Sequence, residues 1–450
     1  MLSALFSRFG NLRGLEASGS ESRRRLITTF GAQIYNQVVT VGIQLALIPV
    51  LLYYWGAEQY GVWVLLSAIP SYLTFADLGF TLSAKNALTI SVARGDRKSA
   101  LEIYQSTFVL ITLIALFAIA AIIACLVVFD PSSALRIGNA SDQSAKITIA
   151  ALSASVLVYQ YLMLLAGGLR AIGRPAGEVA WTATGRLLEG VSTIIGAMIW
   201  TDFVGAALAI LASRLLVCLA VWYQLRVSSP WLRVGLSMAS FSRVRELAGP
   251  SLAFLAQTLA QLLMIQGPVI VLGALTDPIR VAVFSACRTL VRVGTTGTNF
   301  LNATFLPEYT ALYSSNRQRL PTLIKWHATL SALAVLAYVA SLFLLGRLLL
   351  NYWTKGAIQP DEPWFSLLIL ATAAEMVWTT GFVALAAINR HVASSYAFGI
   401  LSIIAVAGIS VTAQRFSLNA VAIALLATHV AMIGVLGVDV KHQAKREASL

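Results

Sequence analysis

Apolar stretches of roughly 18 residues or more, each long enough to cross the hydrocarbon of a bilayer, recur along this whole chain. The run TFVLITLIALFAIAAIIACLVV at 107–128 carries no charge at all. Lipid offers a backbone no hydrogen-bonding partner, so such a stretch must satisfy its own amides and carbonyls as an α-helix. Composition agrees. Of 450 residues, 58% are hydrophobic and 11% charged, against about 25% charged in a soluble domain. The expected fold class is therefore all-α and polytopic. About twelve transmembrane helices are expected, at 28–53, 60–82, 101–129, 146–169, 177–200, 203–225, 247–274, 279–305, 322–350, 364–388, 393–413 and 418–439.

The formal net charge of +13 lies mostly in short loops, where it sets orientation and meets anionic headgroups. No basic domain stands outside the spans, so nucleic acid is not expected as a partner; membrane lipids are. Of the 32 lysines and arginines, only Arg136, Lys146, Arg280, Arg347, Lys355 and Arg415 fall in loops or span ends on one face, while the loops of the other face hold most of the rest. This asymmetry predicts that both termini are cytoplasmic. The opposite loops are short, the longest being 130–145 and 351–363, and neither can fold as a domain.

The two halves resemble each other. Ala171-Ile172-Gly173-Arg174 ends the fourth span, and Ala387-Ile388-Asn389-Arg390 ends the tenth. In span six, Ala207, Ala209, Leu211, Ala212, Ser213 and Arg214 line up with Ala422, Ala424, Leu426, Ala427, Thr428 and His429, and Pro49-Val50 echoes Pro268-Val269. The spacing between partners is nearly constant, which argues for two six-helix bundles. Six is even, so both insert the same way round, giving parallel repeats around a central cavity. The expected organisation is a cytoplasmic tail over 1–25, a first lobe over 26–226, a cytoplasmic linker over 227–246, a second lobe over 247–440 and a tail over 441–450. The N-terminal segment MLSALFSRFGNLRGLEASGS, interrupted by Arg8, Gly10 and Arg13, does not read as a signal peptide; it suits a flexible tail or a short interfacial helix.

Charge placed deep in a span costs roughly 2.5–3.5 kcal/mol per residue and marks function or pairing. Counting 1.5 Å per residue, Arg186, Arg214 and Arg288 lie about 14–16 Å inside their spans and Arg292 about 20 Å. Glu375 and His429 lie about 16–17 Å deep in spans ten and twelve. Arg288 and Arg292, four apart, share a helix face with no acid three or four residues away. Four deep arginines thus face two deep acids, Glu189 and Glu375, and Arg186 and Glu189 are spaced to pair locally. Arginine keeps its charge, so the excess must be met by carbonyls, by water, or by an anionic ligand held through forked contacts. Arg288, Arg292, Arg214 and Arg186 are the candidate substrate-binding set. Glu375, Glu189, Asp77 and His429 are candidates for ion coupling or charge pairing. Gly267-Pro268, in mid-span, is the candidate hinge. Tryptophans near span ends, Trp55, Trp63 and Trp364 among them, are expected as interfacial anchors.

Catalysis has no visible basis. His327, His391, His429 and His442 are scattered, and no P-loop, HExxH or GxSxG occurs, so neither an enzyme nor an ATPase is expected. Cys125, Cys218 and Cys287 form no CxxC and imply neither disulfide nor metal. No cofactor is expected.

The segment Gly56-Ala57-Glu58-Gln59-Tyr60-Gly61-Val62-Trp63, followed by Phe75-Ala76-Asp77-Leu78-Gly79-Phe80 and Arg94-Gly95-Asp96, resembles the start of the polysaccharide transporter family. These are the Wzx-type O-antigen and exopolysaccharide flippases of the multidrug/oligosaccharidyl-lipid/polysaccharide superfamily. The resemblance extends to span count and six-plus-six layout. It implies a bacterial inner-membrane flippase that moves undecaprenyl-diphosphate-linked, anionic oligosaccharide outward by alternating access, with a polysaccharide polymerase and a chain-length regulator as partners. Two other classes stay open. A cation-coupled multidrug exporter of the same superfamily calls for an acidic cavity, against the arginine excess. A membrane-embedded glycan transferase or polymerase calls for an acid–base constellation that is not seen.

Overall fold

The computed structural model describes residues 19–448, apart from 76, 78, 129, 132–140, 201, 316 and 388–391. Side chains are described outside 19–27, 30, 75, 249–257, 307–308, 310–317, 392, 416–417 and 440–448. The predicted N-terminal tail falls almost entirely outside these residues. Among those described, twelve α-helices form and no strand. They are α1 (Gly19–Ser71), α2 (Phe80–Ala93), α3 (Arg97–Val128), α4 (Asp142–Ala171), α5 (Pro175–Ile199), α6 (Phe203–Ser228), α7 (Phe241–Leu275), α8 (Pro278–Val293), α9 (Thr295–Ser315), α10 (Leu320–Trp353), α11 (Trp364–Ala387) and α12 (Val392–Ala448).

Helices and predicted spans match in number but not one to one. Spans one and two are joined in α1 without a loop; the chain bends at Gly56, whose φ of 71° is open to glycine at little cost. The predicted second span then breaks. A 3-10 turn at Tyr72–Phe75 ends it, and α2 starts afresh at Phe80. Asp77, 8% exposed, organises the break: its carboxylate accepts the amides of Gly79 and Thr81, each at 3.1 Å. Those amides open a helix and have no intrahelical partner, so a buried acid there is a cap. The predicted eighth span also breaks, at Gly294, into α8 and α9. Spans eleven and twelve follow one another within α12, as Ala393–Arg415 and Leu418–Asp439.

Two six-span lobes result. In the first, α1 packs along α5, and α4 along α6. In the second, α7 packs along α12, and α11 along α12. Close approaches repeat as well. Gly190 meets Ile43 in the first lobe, and Gly267 meets Val406 in the second; the repeat aligns Val406 with Gly190. Small residues at helix crossings let backbones approach in the absence of a hydrophobic drive between lipid-bathed helices. The backbone runs as helix through Gly267 and Pro268.

The lobes meet along α1, α7 and α8. A Cβ on Gly61 would lie 1.8 Å from the Pro278 carbonyl oxygen, and one on Gly273 would lie 2.2 Å from Leu65. Tyr60 and Ser285 share a hydroxyl contact of 3.4 Å, and the Trp353 indole donates to the Leu45 carbonyl at 2.6 Å. Trp55 and Trp63 pack 5.5 Å apart at this seam and are 7% and 6% exposed. These two, with the equally buried Trp364, belong to the protein core rather than to an interfacial belt; Trp200 and Trp326 are exposed as expected. At another place the linker 229–240 lies on α3. Gln105 and Ser106 accept the amides of Met238 and Ser240, both at 2.8 Å, and Arg243 bridges Glu102 and Glu246. Hydrogen bonds to Glu246 and Glu102 hold its guanidinium above its ordinary range.

Candidate functional site

The deep arginines form two clusters, one in each lobe, and among the described residues no hydrogen bond or ion pair joins them. Arg186 and Arg214 belong to the first. Arg214 on α6 gives Glu189 a two-point contact, from Nε at 3.1 Å and Nη2 at 2.8 Å. Its Nη1 reaches Ser155 Oγ at 3.3 Å, and its guanidinium lies over the Tyr159 ring. The local Arg186–Glu189 pair suggested by spacing does not form. Both residues sit on α5, but Glu189 turns to α6, while Arg186 turns to α1 and donates to Asn36 and Thr40. Both of those partners are neutral. Among the described residues no carboxylate lies within ion-pair distance of Arg186. Arg186, Glu189 and Arg214, with Tyr159, Leu162, Thr182 and Val217, line a chamber of about 310 Å³ between α4, α5 and α6. Two guanidiniums against one carboxylate leave it one positive charge.

The second cluster lies between α7, α8, α11 and α12. Arg292 Nη1 pairs with Glu375 Oε2 at 2.8 Å. That same oxygen lies 3.9 Å from His429 Nε2, and His429 Nδ1 accepts the Trp378 indole at 3.0 Å. His429 and Trp378 are 5% and 4% exposed, so the chain Arg292–Glu375–His429–Trp378 runs from a partly open end into the core. Trp378, packed on Phe382 and Phe398, is a core residue. Arg288, one turn before Arg292, donates to the Ile265 carbonyl and lies over the Phe284 ring. The geometry there has a cause in the sequence. Pro268 has no amide hydrogen, so the Met264 carbonyl lacks an intrahelical donor and the turn beside it is weakened. Arg288 binds the next carbonyl along. Here too, two guanidiniums face one carboxylate.

The sequence repeat explains why there are two clusters. Arg214 and His429 are equivalent positions, and almost the same spacing aligns Tyr159 with Glu375. Each lobe therefore builds its own polar site between its fourth and sixth spans. Asp77 joins neither; it caps α2. One group escaped sequence reasoning. His327 on α10 is fully buried, with Tyr309 and Asn302 each 3.1 Å from one ring nitrogen and Phe305 stacked 4.4 Å away. Only the odd placement of a histidine in an apolar helix pointed to it. Among the described residues no cluster of His, Cys, Asp and Glu is arranged to hold a metal.

No protein-family model and no curated protein matches the sequence. Solved structures do resemble the fold. The chain is similar to an inward-facing multidrug resistance MATE family transporter of the MOP superfamily (TM-score 0.64, 16% identity, 91% of this chain and 96% of that one). It is similar to the lipid II flippase MurJ in an inward closed conformation (TM-score 0.67, 13% identity, 91% and 87%). It also resembles a MOP superfamily transporter from Pyrococcus furiosus, described as having a binding pocket of reverse polarity that suggests a different function (TM-score 0.60, 16% identity, 93% and 95%). At these identities the likeness establishes the fold alone, the two-lobe helical fold shared with these solved structures.

Proposed function

We propose that the protein is a flippase for lipid-linked anionic oligosaccharide, serving surface polysaccharide synthesis in a bacterial inner membrane. The observation that carries this reading is the charge left over in each lobe. Among the described residues, Arg186 and Arg288 are held by neutral oxygens and not by acids, and a guanidinium stays charged. A part-buried positive charge kept without a counter-charge carries a desolvation cost, and a phosphate or carboxylate offsets that cost through charge-assisted hydrogen bonds. A fold shared with a structure described as a lipid II flippase supports a lipid-linked cargo.

In this reading the Gly61–Pro278 seam is the outer gate, because loop charges put both termini in the cytoplasm. The lobes, 26–226 and 247–440, rock about it. Arg288 and Arg292 receive the diphosphate, and the lipid tail stays in the bilayer between the lobes. Replacing both with alanine is expected to abolish surface polymer and to leave the lipid-linked unit on the cytoplasmic side. Normal surface polymer at normal protein levels would overturn the reading.

The second reading, a multidrug exporter, is favoured by the structures described as multidrug resistance transporters. The positive excess counts against cationic drugs, and the reversed pocket polarity described for the Pyrococcus furiosus protein is a precedent for such a change on this fold. A drug-susceptibility panel on a deletion strain separates the two: unchanged susceptibility with lost polymer supports the flippase.

A further inference from the structure

The first-lobe chamber is a separate site with its own chemistry. At about 310 Å³ it stands at the small end of ligand pockets, which run from roughly 300 to 1,000 Å³. That is room for one sugar ring. It lies within one lobe, between α4, α5 and α6, apart from the Arg288–Arg292 cluster of the other lobe.

The donors in the chamber are not equivalent. Arg214 spends Nε and Nη2 on Glu189 and Nη1 on Ser155. Arg186 spends Nη1 on Asn36 and Thr40 and also bonds the Tyr159 hydroxyl, and none of its five N–H groups has an acid to serve among the described residues. Glu189, bonded through Oε2, keeps an oxygen to accept a sugar hydroxyl. Thr182 donates to the Val179 carbonyl, which leaves its oxygen free to accept. Leu162 and Val217 supply apolar walls. The site thus offers one unmatched cation, two acceptors and an apolar wall, the set that a carboxylated pyranose satisfies.

We propose that this chamber seats one acidic sugar residue of the cargo, with its carboxylate on the Arg186 guanidinium. The assignment rests on the flippase reading for its biological sense, but binding tests it independently. Detergent-purified full-length protein is titrated calorimetrically with glucuronate, glucose and inorganic pyrophosphate. Glucuronate is expected to bind, glucose to give no measurable heat, and Arg186→Gln to weaken glucuronate at least tenfold. Arg186→Lys keeps a charge and should fall between. Glucuronate binding is expected to survive Arg288→Gln, which tests the diphosphate site instead.

The proposal is overturned if glucose binds as tightly as glucuronate, or if Arg186→Gln binds glucuronate like the native protein. It is also overturned if pyrophosphate competes with glucuronate and its binding is lost in Arg186→Gln, since the chamber would then take the linker phosphate. Should Arg186→Gln fail to fold, Arg186→Lys and the glucuronate–glucose comparison decide. Loss of chamber binding with normal export would remove the chamber but not the flippase; lost surface polymer in the Arg288 and Arg292 variants tests the latter.

Discussion

Gly61→Ala probes the seam between the lobes with one methyl group. That carbon would stand 1.8 Å from the Pro278 carbonyl oxygen and 2.5 Å from its carbon. Both are backbone atoms, so no rotamer change relieves the clash. Overpacking of this kind costs about 1–3 kcal/mol, and rigid partners on both sides put this case near ~3 kcal/mol. The cost falls only on the state in which α1 and α8 touch. At about 1.4 kcal/mol per tenfold, the balance between closed and open seam should move roughly a hundredfold towards open. The reporter is Ser285→Cys, a buried position facing Tyr60, in a background with Cys125, Cys218 and Cys287 replaced. Labelling by a membrane-impermeant maleimide added outside whole cells should rise strongly in Gly61→Ala. An unchanged rate at unchanged protein level would refute either the closeness of the seam or its placement on the outer face.

Three further outcomes follow from the contacts described. Glu375→Gln leaves Arg292 without its carboxylate; since Arg292 is about a third exposed, the loss should be about 2 kcal/mol, below the roughly 3–5 kcal/mol of a fully buried pair. Thermal unfolding of Glu375→Gln, Arg292→Met and the double variant should show clear non-additivity, and additive effects within about 0.5 kcal/mol would mean the pair does not interact. Pro268→Ala restores an amide to the Met264 carbonyl, so hydrogen exchange across 264–269 should slow by about tenfold or more; unchanged exchange would show that the turn was never weakened. Asp77→Ala removes the α2 cap and should cost about 1–2 kcal/mol in thermal unfolding, whereas a loss of transport with stability intact would show that Asp77 does more than cap.

Apolar run length is a property of the chain in one dimension, and what depends on it was legible in the sequence. That covers the all-helical class, the count of spans and the six-plus-six layout. Depth along a span is also one-dimensional, and it singled out Arg186, Arg214, Arg288, Arg292, Glu375 and His429 as deep polar residues. Azimuth is not. Which way Arg186 and Glu189 point depends on where α1 and α6 stand around α5, and neighbours chose Thr40 for one and Arg214 for the other. The i, i+3 spacing allowed a pair without requiring it. The Arg214–His429 alignment did hold the clue to two sites, because a repeated fold repeats its polar positions. The broken second span was signalled by Asp77 and Gly79, whose place in an apolar stretch is explained by a cap and a restart.

The central claim is that this fold carries a lipid-linked anionic cargo across a bilayer by its arginines. Purified protein in liposomes, with a labelled undecaprenyl-diphosphate oligosaccharide bearing an acidic sugar, tests it most directly. A membrane-impermeant reagent reads the share of label in the outer leaflet. With native protein all of the label should become accessible over time, while Arg288→Gln with Arg292→Gln should stop at the share present at the start. Full accessibility with the double variant, or none beyond the starting share with native protein, would contradict the account.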